Sequence, residues 1–234
     1  MDVLGKALKD FHDGITGFTL LSHSSLGETQ ELNPDYFFRD LKQMPDLEKQ
    51  ALDLATGRVL DVGCGAGSHS LLLQEKKLTV TGIDFSEGAT LVARKRGVQQ
   101  VVCEDIQNFN SETYNTILML MNGAGLAGTL NNLPIFLKHL ASLLTVDGQI
   151  LLDSSDIIYV YESDEDGGVW IPGDLDYYGE VTYRWEYRGE TGPEFPWLFV
   201  DFIRLQAAAA KAGLQAELLM NGPHYDYLAR LTKA

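Results

Sequence analysis

Val59-Leu60-Asp61-Val62-Gly63-Cys64-Gly65-Ala66-Gly67-Ser68-His69-Ser70 reads as an apolar strand that turns through alternate glycines into a helix. Glycines let the backbone approach a ligand closely, and the free amides opening the helix attract a carboxylate or phosphate. Outward from this loop, from residue 58 to about 154, short apolar runs alternate with helical patterns: RVLDVG, SHSLLLQEKK, LTVTGID, SEGATLVARKRG, VQQVVCED, YNTILMLMN, LPIFLKHLASLL and QILLDSS. The alternation predicts an α/β fold, a parallel sheet doubly wound by helices on both faces. Right-handed crossovers place every strand-to-helix loop on one edge, and ligands bind there, at the switch in strand order.

Two acids sharpen the loop's meaning. Asp84 closes the second strand, 21 residues after Gly63, where a carboxylate accepts hydrogen bonds from both ribose hydroxyls. Asp105, ending the third strand (VVCED), is placed to accept from the exocyclic amine of a purine, with Ile106 beside the ring. The plainer reading of Asp105 is a turn cap. A nicotinamide dinucleotide fingerprint requires glycine or alanine where Ser68 stands, so that match is incomplete. It would also leave Asp105 and the fourth-strand loop unexplained.

The DVGCGAG loop, Asp84, Asp105, Met121-Asn122-Gly123 after the fourth strand and the LLTVDGQILLD segment together resemble the class I S-adenosylmethionine-dependent methyltransferases. The resemblance covers about residues 55–155 closely, and the tail 201–234 agrees with a closing helix and antiparallel strand pair. It implies a Rossmann-like seven-stranded sheet ordered 3-2-1-4-5-7-6, strand 7 antiparallel, with S-adenosyl-L-methionine as donor and S-adenosyl-L-homocysteine as product. By position, Asp61, Gly63, Cys64, Gly65 and Gly67 would surround the methionyl part. Asp84 would hold the ribose with Phe85 beside it, Asp105 and Ile106 the adenine, and Met121, Asn122 and Gly123 would lie near the donor methyl. Tyr36, Phe38 and Arg39 would help cover the donor, Arg39 as a carboxylate clamp. The Asn/Asp-Pro-Pro-aromatic tetrad of enzymes that methylate nucleobase or glutamine amides is absent; Asn122-Gly123-Ala124-Gly125 stands there instead.

Around this core, residues 1–56 read as an N-terminal helical cap: Asn33-Pro34 starts one helix through Tyr36, Phe37, Leu41 and Met44, and Pro45-Asp46 starts another running to Gly57. The core comprises 57–155 and 201–234, and 156–200 is an inserted substrate lid with a hairpin in YYGEVTYRWEYRG and EFPWLFVDF. A helix over 201–212 ends at Gly213, and Asn221-Gly222-Pro223 turns the last two strands antiparallel. At 234 residues, against roughly 150 per domain, a single large α/β domain is expected.

Eighteen basic against 33 acidic residues give a net charge of −15, which repels phosphate backbones and anionic lipid heads and argues against nucleic acid or membrane as partner. Cys64 and Cys103 both sit in apolar, strand-like contexts that suit packed, reduced thiols and a cytoplasmic location. The N-terminus lacks a basic segment followed by an apolar one, and no apolar run is long enough for a span.

Methyl transfer from a sulfonium is an in-line displacement with a good neutral leaving group, so alignment at about 3 Å and exclusion of water are the main requirements. No metal is needed, and His12, His23, His69, His139 and His224 lack ligand spacing. The stretch from Tyr159 to Phe202 holds twelve of the chain's 23 aromatic residues, including all three tryptophans. Such a cluster builds a dry lid and stacks on a planar or cationic acceptor. Trp185 and Trp197 are the acceptor candidates there, with Asn122 and Asp153; Asp153 and Asp156 would bind an amine, act as base or merely cap the strand end. The run Glu162 to Asp166 reads as a solvated loop. The expected acceptor is a small molecule, methylated on oxygen or nitrogen by a monomer or homodimer. A protein side chain as acceptor, and a non-catalytic donor-binding protein, stay open.

Overall fold

The chain is described by a computed structural model covering residues 1–110, 112–162, 164, 166, 168–173 and 175–234. Ser163 and Glu165 of the acidic run lie outside the described residues.

The apolar run around the glycine loop becomes β3 (Arg58–Val62), buried on both faces from Val59 onward. The flanking runs become β4 (Thr79–Asp84), β5 (Gln100–Cys103), β6 (Tyr114–Met119) and β7 (Leu144–Ser155). With β10 (Leu214–Asn221) and β11 (Asp226–Lys233) they form one sheet in the order β10-β11-β7-β6-β3-β4-β5. Counted from β3, this is the expected 3-2-1-4-5-7-6, and β11 runs antiparallel to both neighbours. The order reverses between β3 and β6, so the loops after these strands diverge and open a crevice at the carboxyl edge.

Helices α3 (Ser68–Glu75), α4 (Glu87–Arg96), α5 (Leu133–Ser142) and α6 (Phe202–Lys211) cross over between strands. Local chemistry sets their ends. Ser86 caps α4 by accepting from Ala89 N, and Gly97 ends it in a left-handed conformation. Asp201 caps α6 through Arg204 N, and Gly213 follows it at φ +77°. One face of the sheet packs on Phe136, Leu137, Leu140 and Leu205, the other on Met44, Leu47, Ala51 and Leu52.

The N-terminal segment departs from the expected run of helices. Helix α1 (Val3–His12) lies against α4, where Gly5 and Gly88 let the backbones touch; a Cβ on Gly88 would stand 2.6 Å from Gly5 Cα. Residues 20–32 form a hairpin, β1 (Leu20–Ser24) and β2 (Thr29–Leu32). Pro34–Phe38 and Leu41–Gln43 are short 3-10 turns where the first of the two expected helices would run, and the second is α2 (Asp46–Leu54), ending before Gly57. The predicted insert hairpin is β8 (Glu180–Tyr187) with β9 (Glu190–Leu198). It joins the N-terminal hairpin in a second, antiparallel sheet ordered β2-β1-β8-β9, with Leu20 opposite Tyr187 and Ser22 opposite Trp185. Cys64 is buried as expected, but Cys103 is exposed, because β5 is the sheet's edge. No helix among the described residues is long and apolar enough to cross a membrane.

Candidate active site

Three left-handed glycines shape the loop after β3: Gly63 at φ +72°, Gly65 at +52° and Gly67 at +83°. Gly63 N and Cys64 N both donate to Ile83 O, pinning the loop to β4 at 2.8 and 3.1 Å. The space before the first two glycines is open. A Cβ there would meet nothing nearer than Leu126 Cδ1 at 3.6 Å and Gly63 O at 4.0 Å. Gly67 is a packing glycine instead: a Cβ there would sit 2.6 Å from Val98 Cγ2 and 3.2 Å from Ala93 Cβ. Gly67→Ala is therefore expected to lower stability by about 1–2 kcal/mol, through the unfavourable backbone conformation and the overlap, read as a lower midpoint in thermal unfolding.

Asp84 stands at the mouth of this loop. Its carboxylate accepts from Gly65 N and Ser86 N, each at 2.9 Å, so the backbone fixes its direction. Burial pushes its pKa up to about 6 against those two hydrogen bonds. Phe85 beside it is 74% exposed, a large ring turned to solvent directly after the strand. Asp105 is exposed and accepts from Gln107 N at 2.9 Å, while Ile106 is buried and its carbonyl accepts from His139 Nε2 at 2.7 Å. Asp105 thus caps the turn after β5.

Two loop residues have partners within the core. Asp61 is buried and accepts from Ser70 Oγ at 2.5 Å, so its side chain anchors the first turn of α3. The Cys64 thiol packs inward toward Gly82, and burial pushes its pKa well up. Only the Cys64 backbone borders the open space.

Arg39 does form a carboxylate clamp, but on a residue of this chain. Its guanidinium donates to Glu48 Oε1 and Oε2 at 3.0 and 3.2 Å and to Tyr36 O at 2.8 Å, and it lies 4.0 Å from the Tyr36 ring centre. Glu48 also holds His69 Nε2 at 2.7 Å. Burial works against the charged forms of both partners. The contacts outweigh it, holding the Glu48 carboxyl below and the His69 imidazole above their ordinary ranges. Glu48 was missed by the sequence reading, although a carboxylate among Leu47, Ala51 and Leu52 on one helix face was a visible signal.

After β6 the chain passes through two successive left-handed residues that are not glycine, Met121 (φ +66°) and Asn122 (φ +59°). Such strain costs about 1–3 kcal/mol per residue and persists only where surroundings enforce it. Here Asn122 Nδ2 donates to Leu198 O and Ser154 Oγ donates to Asn122 Oδ1, both at 3.1 Å, while Gly123 N donates to Asp153 Oδ1 at 3.0 Å. Ser154 Oγ also accepts from Val200 N at 3.0 Å. These bonds tie the β6 turn, the end of β7 and the foot of β9 together. Burial, against hydrogen bonds from Gly123 and Asn122, pushes the Asp153 pKa up to about 6.

On the second sheet, Trp197 lies on Gly125, where any Cβ would collide with the indole. Trp185 packs with Val3, Ala7, Leu20 and Tyr187. Tyr178 Oη donates to Asp156 at 2.8 Å, which makes Asp156 a structural acid.

A family described as a methyltransferase domain matches residues 35–216. The chain belongs to this family. The methyltransferase is similar to a solved SAM-dependent methyltransferase from Bacteroides fragilis in complex with S-adenosyl-L-homocysteine: 44% identity, all of this chain and 95% of the other covered, TM-score 0.92. It is 31% identical over 101 residues to the ubiquinone biosynthesis O-methyltransferase of Pseudomonas aeruginosa, covering 43% of each chain. The enzyme of that name from Pasteurella multocida is 33% identical over 87 residues, 35% of this chain and 36% of the relative. The methyltransferase thus spans under half the length of the curated relatives it matches.

Proposed function

We propose that this chain is an S-adenosylmethionine-dependent methyltransferase that methylates a small molecule on oxygen or nitrogen in the space between the crevice and the second sheet. The observation that carries the reading is Asp84, a carboxylate fixed by Gly65 N and Ser86 N at the edge of the open space before Gly63 and Gly65. A nucleoside fits such a site: ribose hydroxyls on Asp84, a planar base between Phe85, Asp105 and Ile106, and the amino-acid end along the glycines. The full-length likeness to the Bacteroides fragilis methyltransferase that holds S-adenosyl-L-homocysteine supports the same donor. The donor supplies a methyl group on a sulfonium, which makes transfer a single displacement.

The chain's own part is positioning and exclusion of water. Asp84 orients the ribose, and the Met121–Asn122 turn, held by Ser154, Asp153 and Leu198 O, fixes the wall where the methyl is received. The second sheet closes over it as the lid, with Trp197 on the turn and Trp185 on α1. Asp61 and Arg39 act at one remove, through Ser70 and Glu48. The single domain divides on this reading into the N-terminal cap, the core and the 156–200 lid.

Calorimetric titration with S-adenosyl-L-homocysteine and with NAD tests the assignment. The first is expected to bind at micromolar concentrations and the second not; the reverse would make the glycine loop a dehydrogenase site. Because Asp84 titrates near 6, donor-product affinity is expected to fall as pH is lowered from 7.5 through 6, where the carboxyl gains a proton and one hydroxyl acceptor is lost. Affinity that is flat between pH 7.5 and 5 would remove Asp84 from the site.

A further inference from the structure

Asp153 and Asp84 differ from the other acids around the crevice in having, among the described residues, backbone amides alone against their carboxylates. Glu48 has Arg39 and His69, Asp61 has the Ser70 hydroxyl, and Asp84 has two backbone amides. Asp153 is half-buried at the carboxyl end of β7 and receives hydrogen bonds only from the backbone of the strained β6 turn; no ion pair found among the described residues includes it. The titratable groups that reach it include Glu48, His69 and the Tyr36 and Tyr227 phenols, and Glu48 and His69 already satisfy each other. A carboxylate in this position is costly without a cation.

The aromatic face of the second sheet supplies the complementary half. Tyr183 faces Phe195 and Val181 faces Trp197 across the β8–β9 pair, and Trp185 lies on the same face. Val181 and Tyr187 are buried, yet Tyr183 and Trp185 between them, and Phe195 and Trp197 on the neighbouring strand, are each left partly exposed. The four rings thus keep part of their surface uncovered. Two chains of contacts connect this face to Asp153. Trp197 lies on Gly125, two residues past the Gly123 amide that holds Asp153. Trp185 packs against the cluster that also receives Phe37, whose neighbour Tyr36 senses the Asp153 charge.

We infer that the methyl acceptor is a primary or secondary amine, cationic at neutral pH, held by the Asp153 carboxylate with its carbon frame against the aromatic face of β8 and β9; this rests on the methyltransferase reading above. Rings attract a cation on their faces, and the guanidinium of Arg39, which would suit an acidic acceptor, is taken by Glu48. Asp153 takes one proton from the bound ammonium and exposes the nitrogen lone pair. Nitrogen then bonds to the methyl carbon as the carbon–sulfur bond breaks, its electron pair passing to sulfur to leave a neutral thioether. The N-methylammonium product departs, and Asp153 returns its proton to water.

The experiment offers wild type and radiolabelled S-adenosylmethionine to three separate pools: primary and secondary alkylamines, alcohols and phenols, and carboxylic acids. Saturation-transfer NMR on the same pools without donor gives a second readout. Label and saturation confined to the amine pool are expected. Label in the hydroxyl or acid pool, or in none while donor binding is intact, overturns the inference; failure to bind the donor defeats the methyltransferase reading instead. For the amine that accepts label, Asp153→Asn should raise KM at least tenfold and lower kcat with donor affinity unchanged, and Trp185→Leu should raise KM with a smaller change in kcat. An Asp153→Asn protein that melts normally and keeps wild-type KM also overturns it.

Discussion

Asp84→Ala is expected to weaken S-adenosyl-L-homocysteine binding about thirtyfold, or about 2 kcal/mol, with the melting temperature of the free protein unchanged or raised. The magnitude follows from removing a charged acceptor whose direction the Gly65 and Ser86 amides fix before any ligand arrives. The sign for stability follows from the raised pKa. A carboxyl that titrates near 6 rather than 3.8 costs the fold stability as pH rises through that interval, and the cost is fully present at pH 7.5. Removing it relieves that cost while leaving Gly65 N and Ser86 N to water. Calorimetric titration beside a melting curve checks both halves; a folded variant with wild-type affinity would show that Asp84 does not hold the donor.

Glu48→Gln should have the largest effect on stability, a loss of about 3–5 kcal/mol, because it strands the Arg39 guanidinium and the His69 imidazole in a buried site. In a chain of this size that corresponds to a melting temperature lower by roughly 10 °C. The pH dependence has two signed limbs. Glu48 has a depressed pKa, so its contribution is present above its ordinary value of 4.5 and is lost as pH falls through the folded value. His69 has a raised pKa, so its contribution is complete below its ordinary 6.5 and is lost as pH rises through the folded value. The pair therefore stabilises most between about 4.5 and 6.5. Melting temperatures measured from pH 4 to 9 should show this dome in the wild type and a flatter profile in Glu48→Gln; identical profiles would mean the triad carries no net charge coupling.

The parts of the molecule that local chemistry dictates were legible in the sequence. Alternate glycines after an apolar strand, the acid 21 residues on, and the helix stop at Gly213 each answer to a rule of backbone or periodicity. The strand order came from the family resemblance, since the apolar runs predict a parallel sheet without ordering it. What stayed hidden depends on distant partners. Strand β2 is short, polar and exposed at a sheet edge, β1 is too short to carry an apolar period, and β1 exists as a strand because β8, over 150 residues away, offers it a ladder. The directions of Asp61 and Cys64 are fixed by Ser70 and Gly82, neither of which a motif reveals. Arg39 was legible as a clamp, but the carboxylate nearest to it belongs to Glu48, one turn into a different helix.

A crystal structure of the chain grown with S-adenosyl-L-homocysteine tests the central claim most directly. The account predicts the ribose hydroxyls within hydrogen-bond distance of Asp84, the amino-acid end along Gly63 and Gly65, and the sulfur turned toward Asn122 and the aromatic sheet. The ligand bound away from the glycine loop, or a ribose that leaves Asp84 untouched, would contradict it.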